Sequence, residues 1–268
     1  MKRLSIARKF YPRLRYIRIN ISKLLATLLQ LSVMQSTSLH ALPVTAVGLA
    51  AVGLTGWAGM AQAATSSSGD VVKAGNLETV NAGGIVISSQ ITGALQNVMN
   101  GGIASNAQLL SPDALQSIHS GGLALNATVN AGIQEINAGG VADNTVLSNA
   151  GTVNAFQNIN MGGVASRTSI QNQGKQAIMD GGLANSASIS SGGRQDIYDG
   201  GLANSTVVSN GGAQHISNGG SASNTILSNG AQQVISGGGG ATSTQVLDGG
   251  VQTVSGVENM QLAACGIS

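Results

Sequence analysis

Nine Gly-Gly pairs organise most of this chain. They begin at 83, 101, 121, 139, 162, 181, 200, 219 and 238, with intervals of 18 to 23 residues that settle to 19. A second marker, x-Gln-x-Ile/Val, keeps the same phase at Gln96/Val98, Gln116/Ile118, Gln134/Ile136, Gln157/Ile159, Gln176/Ile178 and Gln195/Ile197. It continues at Gln214/Ile216, Gln232/Val234 and Gln252/Val254, and Leu77-Glu78-Thr79-Val80 is an imperfect further copy with Glu for Gln. Self-similarity at such a period marks a solenoid, in which each unit buries its apolar face only against its neighbours.

Within a unit the pattern is that of short strands. The Gly pair is followed by an apolar residue and then Ala, as at Ala104, Ala124, Ala142 and Ala165. An Asn-Thr or Asn-Ala pair comes next, then an apolar residue: Ile91, Leu109, Val129, Leu147, Ile170, Ile189, Val208, Leu227 and Leu247. Runs of four or five residues between Gly, Asn and Ser breaks are too short for a stable helix. They suit strands that pair with the same run one period away, about 4.8 Å along an axis. The expected fold is all-β, a parallel β-helix (β-solenoid) of about nine coils of 18–23 residues, with a long signal peptide before it. Gly should turn the corners where φ is positive. The Gln column shares parity with the buried Ile and Val, so it should point inward and form an amide ladder. The longest coil carries about four extra residues near Asn149–Ala155, expected to bulge outward as a loop, and Phe156 beside them reads as a core plug.

Charge separates a leader from the repeats. Eight of the twelve Lys and Arg precede position 24, whereas all ten acidic residues follow position 69. Residues 1–63 read as an extended signal: a basic start, two apolar stretches, and Ala61-Gln62-Ala63 as a peptidase site with cleavage between Ala63 and Ala64. That implies signal recognition and Sec export machinery as partners. Residues 64–74 are expected to be a linker, 75–255 the repeat domain and 256–268 a tail. Charged residues make up 8% of the sequence, which is too few for nucleic-acid binding, so no nucleic-acid partner is expected. The single cysteine, Cys265, excludes a disulfide framework and a Cys-based zinc site.

The unit Gly-Gly-x-Ala-x-Asn-Thr-x-Val-x-x-Gly-Gly-x-Gln-x-Ile/Val, clearest over 200–218 and 219–237, resembles the 19-residue repeat of AIDA-type autotransporter adhesins. The resemblance spans about 75–255. It implies a β-helical passenger exported to the bacterial cell surface or outer membrane, mediating adhesion or autoaggregation without catalysis. It also implies host-cell or neighbouring-cell receptors, self-association, and a cytoplasmic heptosyltransferase that modifies Ser and Thr hydroxyls. The strands of a translocator barrel are not legible in the sequence. The expectation is therefore a fragment or truncated form, periplasmic or secreted.

A β-helical carbohydrate-active enzyme, a lyase or glycosidase, would need paired carboxylates on one face. Asp180 and Asp199 lie one period apart before Gly-Gly pairs, and Asp248 holds a similar place, yet Asn, Ser and Ala occupy that corner in other coils. A turn-favouring residue accounts for all of them. Arg194 and Asp196 read as a solvated face. His119 and His215 are four or five coils apart, too far to share a metal, and a calcium-binding Gly-Gly-x-Gly-x-Asp tandem is missing. No catalytic, cofactor or metal residue is assigned. Thr145, Thr168, Thr206 and Thr225 share parity with buried Val and Leu and should face inward. Ser186, Ser188 and Ser205 should face solvent, which makes them the candidate O-glycosylation sites.

Overall fold

A computed structural model describes residues 66–149, 151 and 155–255, all within one compact unit. The expected cleavage residues Ala63 and Ala64, the tail 256–268 with Cys265, and much of the insertion before Ala155 lie outside the described residues. Most coils of the solenoid contribute three short strands, and in two others the second and third run together as Gln108–Ile118 and Thr128–Ile136. In the coil that starts at Gly200 the three are Leu202–Asn204, Val207–Val208 and Ala213–Ile216. Every strand pairs in parallel with its equivalents one coil away. Leu183, Leu202 and Ser221 stand in register, as do Ile189, Val208 and Leu227, and Gln195, Gln214 and Gln233.

The first strands form a ten-stranded sheet, so ten turns stack among the described residues, one more than the nine coils read from the Gly-Gly pairs. The extra turn lies at the start: Ser66–Ser68 pairs with Ile85–Ile87, and Val71–Val72 with Gln90–Ile91. The segment expected to be a linker over 64–74 thus supplies strands. Two sequence registers also need correction by one residue. The amide column passes through Gln233 and Ile235, not Gln232 and Val234, because the doubled Gln offers two candidates and only Gln233 is 19 residues from Gln214. The inward residue of the last coil is Val246, which pairs with Leu227, and Leu247 faces out.

Two apolar clusters fill the interior. One joins the small residues of the first strands, such as Ala184 and Ala203, to the Ile and Val that end the third strands, such as Ile178 and Ile197. The other collects the second-strand residues Leu147, Ile170, Ile189, Val208 and Leu227 with alanines at the narrow corners. The remaining inward positions are polar. Gln Nε2 of each coil donates to Gln Oε1 of the coil before it, from Gln252 down to Gln96, at 2.6–2.7 Å. Thr145, Thr168, Thr206 and Thr225 are buried, as their parity required, and each donates its hydroxyl to the Gln 11 residues before it, in the preceding coil, at 3.1–3.4 Å. Where Ala107, Ala127 or Ala187 replaces Thr, the Gln oxygen keeps the axial donor alone.

Glycine explains only part of the corners. The first Gly of a pair has positive φ, for example 74° at Gly162, whereas the second is required for room. A Cβ on Gly201 would sit 2.6 Å from the Ile178 carbonyl oxygen. The corner between first and second strands uses glycine only in the first coil, at Gly69, and Ser88 in the second. Asn106, Asn126, Asn144, Arg167, Ser186, Ser205, Asn224 and Ser243 make that turn in the left-handed region, where Asn is tolerated better than most residues.

Because the ladder is buried, its loss is measurable. Gln195→Leu strands Gln176 Oε1 and Gln214 Nε2, and removes the acceptor of Thr206. With about 1–3 kcal/mol for each buried group left unsatisfied, urea unfolding should show destabilisation of about 2–5 kcal/mol. Gln252→Leu, at the last turn, leaves Gln233 Oε1 with its Thr244 donor and should change stability by less than about 1 kcal/mol.

Candidate adhesive surface and modification sites

The outward columns hold what the chain can offer a partner. Since Val86 and the Ala of the later coils are inward at the middle of their first strands, the residue before each faces solvent. In seven consecutive coils that residue is aliphatic: Ile85, Ile103, Leu123, Val141, Val164, Leu183 and Leu202. Ile85 and Leu202 are 41% and 49% exposed and the others are half-buried. The signal was legible as an apolar residue next to the Ala column, and its parity gives its direction. The third strands carry a shorter row of the same kind through Leu77, Leu95, Leu115, Ile133 and Phe156, followed by Lys175 and Arg194.

Phe156 is therefore not a core plug. Its neighbours Ala155 and Gln157 are buried, as is Ile159 on the same strand, and alternation puts the ring outside, with Lys175 Nζ 5.6 Å from its centroid. A cation over the ring face offsets part of the exposure of both groups.

Arg194 and Asp196 also differ from a simply solvated face. Asp196 is buried, and Arg194 Nε donates to its Oδ1 at 2.6 Å. His215 stands one coil further along, in register with Asp196. Its pKa is held below the ordinary value of 6.5, first by burial and then by the Arg194 guanidinium, with Asp196 opposing. A lowered pKa means that the fold favours the neutral imidazole. The contribution to stability is full above pH 6.5 and is lost as pH falls through the lowered value. Unfolding midpoints should therefore drop on acidification below pH 6.5, and His215→Gln should flatten that part of the profile.

The candidate catalytic carboxylates sit apart from this cluster. Asp180 and Asp199 are both exposed at the Gly-Gly corner, where each carboxylate lies over the glycine of the next coil, Gly200 and Gly219. Among the described residues no group of three or more His, Cys, Asp or Glu is placed to hold a metal ion. Ser186, Ser188 and Ser205 are exposed. Ser186 and Ser205 stand at the left-handed corner one coil apart, and Ser188 lies on the outer side of a second strand.

Residues 196–250 match the family model described as adhesin of bacterial autotransporter system, probable stalk, under the name AIDA. The solved structure of a TibC-catalyzed hyper-glycosylated TibA fragment is similar at 28% identity, over 72% of this chain and 90% of that one, with a TM-score of 0.48. No curated protein matches the sequence. The coils from Asp196 to Gly250 are thus similar to that adhesin stalk model, and the coils before them pair in parallel with the same columns.

Proposed function

We propose that this chain is the passenger of a bacterial autotransporter, exported through its leader and displayed at the cell surface, where it mediates adhesion or autoaggregation without catalysis. The observation that carries this reading is the stalk match over 196–250 on coils that share one register with the rest of the solenoid. The surface chemistry supports it. Flat stacked columns repeat one side chain many times, so a weak contact made by one coil recurs along the axis and gains by multivalency. Beads coated with the chain should bind host cells or cluster above bare beads. Polysaccharide turnover that disappears in Asp199→Ala would replace this reading with the glycosidase or lyase alternative.

The same reading extends to modification. Ser186, Ser188 and Ser205 are the proposed acceptors for a cytoplasmic heptosyltransferase, since a sugar on any of them projects into solvent. A sugar on buried Thr206 or Thr225 would displace the hydroxyl from its Gln acceptor. It would also bury polar groups without partners, at several kcal/mol. Glycopeptide mapping after co-expression with a heptosyltransferase should find sugar on the outward serines and little on those threonines.

A further inference from the structure

The third-strand face concentrates side chains that the rest of the solenoid lacks. Between residues 66 and 255 the sequence has two aromatic residues, Phe156 and Tyr198, and four cations, Lys73, Arg167, Lys175 and Arg194. Both rings and two of the cations, Lys175 and Arg194, fall on or immediately after the third strands of three successive coils. We propose that they form a binding site for an anionic saccharide, a sugar chain bearing sulfate or carboxylate groups. Its charge rests on Lys175 and Arg194 and a ring of the chain lies on Tyr198. The proposal deepens the adhesion reading by naming the chemistry of the partner, and rests on it only for where such a sugar is met.

Both cations are held in position and neither is used up. Phe156, Lys175 and Arg194 stand in register on adjacent coils, so the two positive side chains rise from backbone positions about 4.8 Å apart. Like charges this close repel, and an anion between them relieves the repulsion. Lys175 Nζ lies over the Phe156 ring, 5.6 Å from its centroid, and pairs with no carboxylate among the described residues. Arg194 uses only Nε, which donates to Asp196 Oδ1 at 2.6 Å. That bond fixes the plane of the guanidinium. Its two terminal nitrogens have no partner among the described residues, and the side chain stays 42% exposed. A fixed guanidinium with free N–H groups matches the paired oxygens of a carboxylate or sulfate.

The surroundings of the cations select a saccharide among anions. Ala177 is the outward residue after Lys175 and keeps the face low there. Beyond it Met179 and Tyr198 follow the strands in register, 37% and 36% exposed. From the cations to this pair is four residues, about 13 Å along the strand, which is room for more than one sugar ring over apolar and aromatic groups. Past Tyr198 come the exposed carboxylates of Asp180 and Asp199, which accept hydrogen bonds from sugar hydroxyls and repel a second negative charge. The face thus suits a chain with its charge on one ring and hydroxyls on the next. A nucleic acid would carry further phosphates onto the acidic corner and find only two cations to neutralise them. An extended peptide finds no open edge, because these third strands are paired on both sides.

The test titrates the chain without its leader with a sulfated heparin tetrasaccharide and with tetragalacturonate, against neutral cellotetraose, by ligand-observed NMR. The sulfated probe should bind, cellotetraose should not, and binding should weaken as salt is raised. Tetragalacturonate binding would show that carboxylates suffice, and its failure beside a bound sulfated probe would assign sulfate as the recognised group. Lys175→Gln should weaken binding about tenfold through loss of a charge-assisted contact. Arg194→Lys keeps the charge but loses the guanidinium plane, and should also weaken it. Tyr198→Ala should cost about fivefold, whereas Arg167→Gln removes an equal charge from another face and should change nothing. Thermal unfolding checks that each variant is folded. The proposal is overturned by a wild-type chain that binds neither charged probe, or by cellotetraose bound as tightly as they are. It is also overturned if folded Lys175→Gln or Tyr198→Ala has no effect, or if Arg167→Gln weakens binding as much as Lys175→Gln. Saccharide binding by a chain whose beads neither bind cells nor cluster would uphold the site while removing adhesion from the proposed function.

Discussion

The structure depends on one hydrogen bond repeated along the axis, Gln Nε2 to the Gln Oε1 of the preceding coil. It has a direction, so every coil needs both a donor and an acceptor, and a terminal side chain can be recognised by what it lacks. Glu78 is such a terminus. It takes the place of Gln in the first described turn and accepts from Gln96 Nε2 at 2.5 Å and Ser89 Oγ at 3.0 Å. An ionised carboxylate accepts but does not donate, so the ladder starts there and cannot be extended below it by the same bond. At the other end Gln252 donates to Gln233, and no described side chain donates to its own oxygen.

That bond also fixes what may vary. A one-residue slip would turn every inward side chain outward and would strand buried amides, so coil length is adjusted only where the ladder does not pass. The 23-residue coil shows this. Its extra residues lie before Ala155, yet Gln157 still reaches Gln134 at 2.6 Å and Ile159 still stacks on Ile136. The 20-residue coil makes the same adjustment differently, by a continuous strand over Gln108–Ile118 whose register shifts between Leu110 and Leu115. Both insertions fall between second and third strands, where the neighbouring apolar cluster can take up alanines such as Ala114 and Ala155.

What was legible in the sequence follows the same division. The inward columns could be read because burial and pairing impose one residue type at one phase, and the Gln and Thr assignments needed nothing more. The misreadings occur where phase was ambiguous or where a residue was judged by type. Gln232 and Gln233 are adjacent, and only the count from Gln214 separates them. Phe156 was placed in the core because it is aromatic, although the alternation around Gln157 puts it outside. Asp196 shows the opposite error, since a charged residue on an outward parity is shielded by Arg194 and the neighbouring coil. The left-handed corner was missed because Asn, Ser and one Arg share that conformation without sharing a side chain.

Duplication of a repeat would copy outward residues as faithfully as inward ones, so an apolar row on the surface could be a relic of copying. The columns argue otherwise. Inward Ala persists at the middle of the first strand from Ala104 to Ala241, whereas the aliphatic row beside it ends at Leu202 and gives way to Ser221 and Gly240. The third-strand row changes just as abruptly, from Phe156 to Lys175 and Arg194. These breaks fall at different coils on the two faces, although both faces belong to the same repeats. Copying whole units would change both rows together. The faces have therefore diverged separately, which is expected when packing constrains the interior of every coil alike and each exterior face answers to its own surroundings.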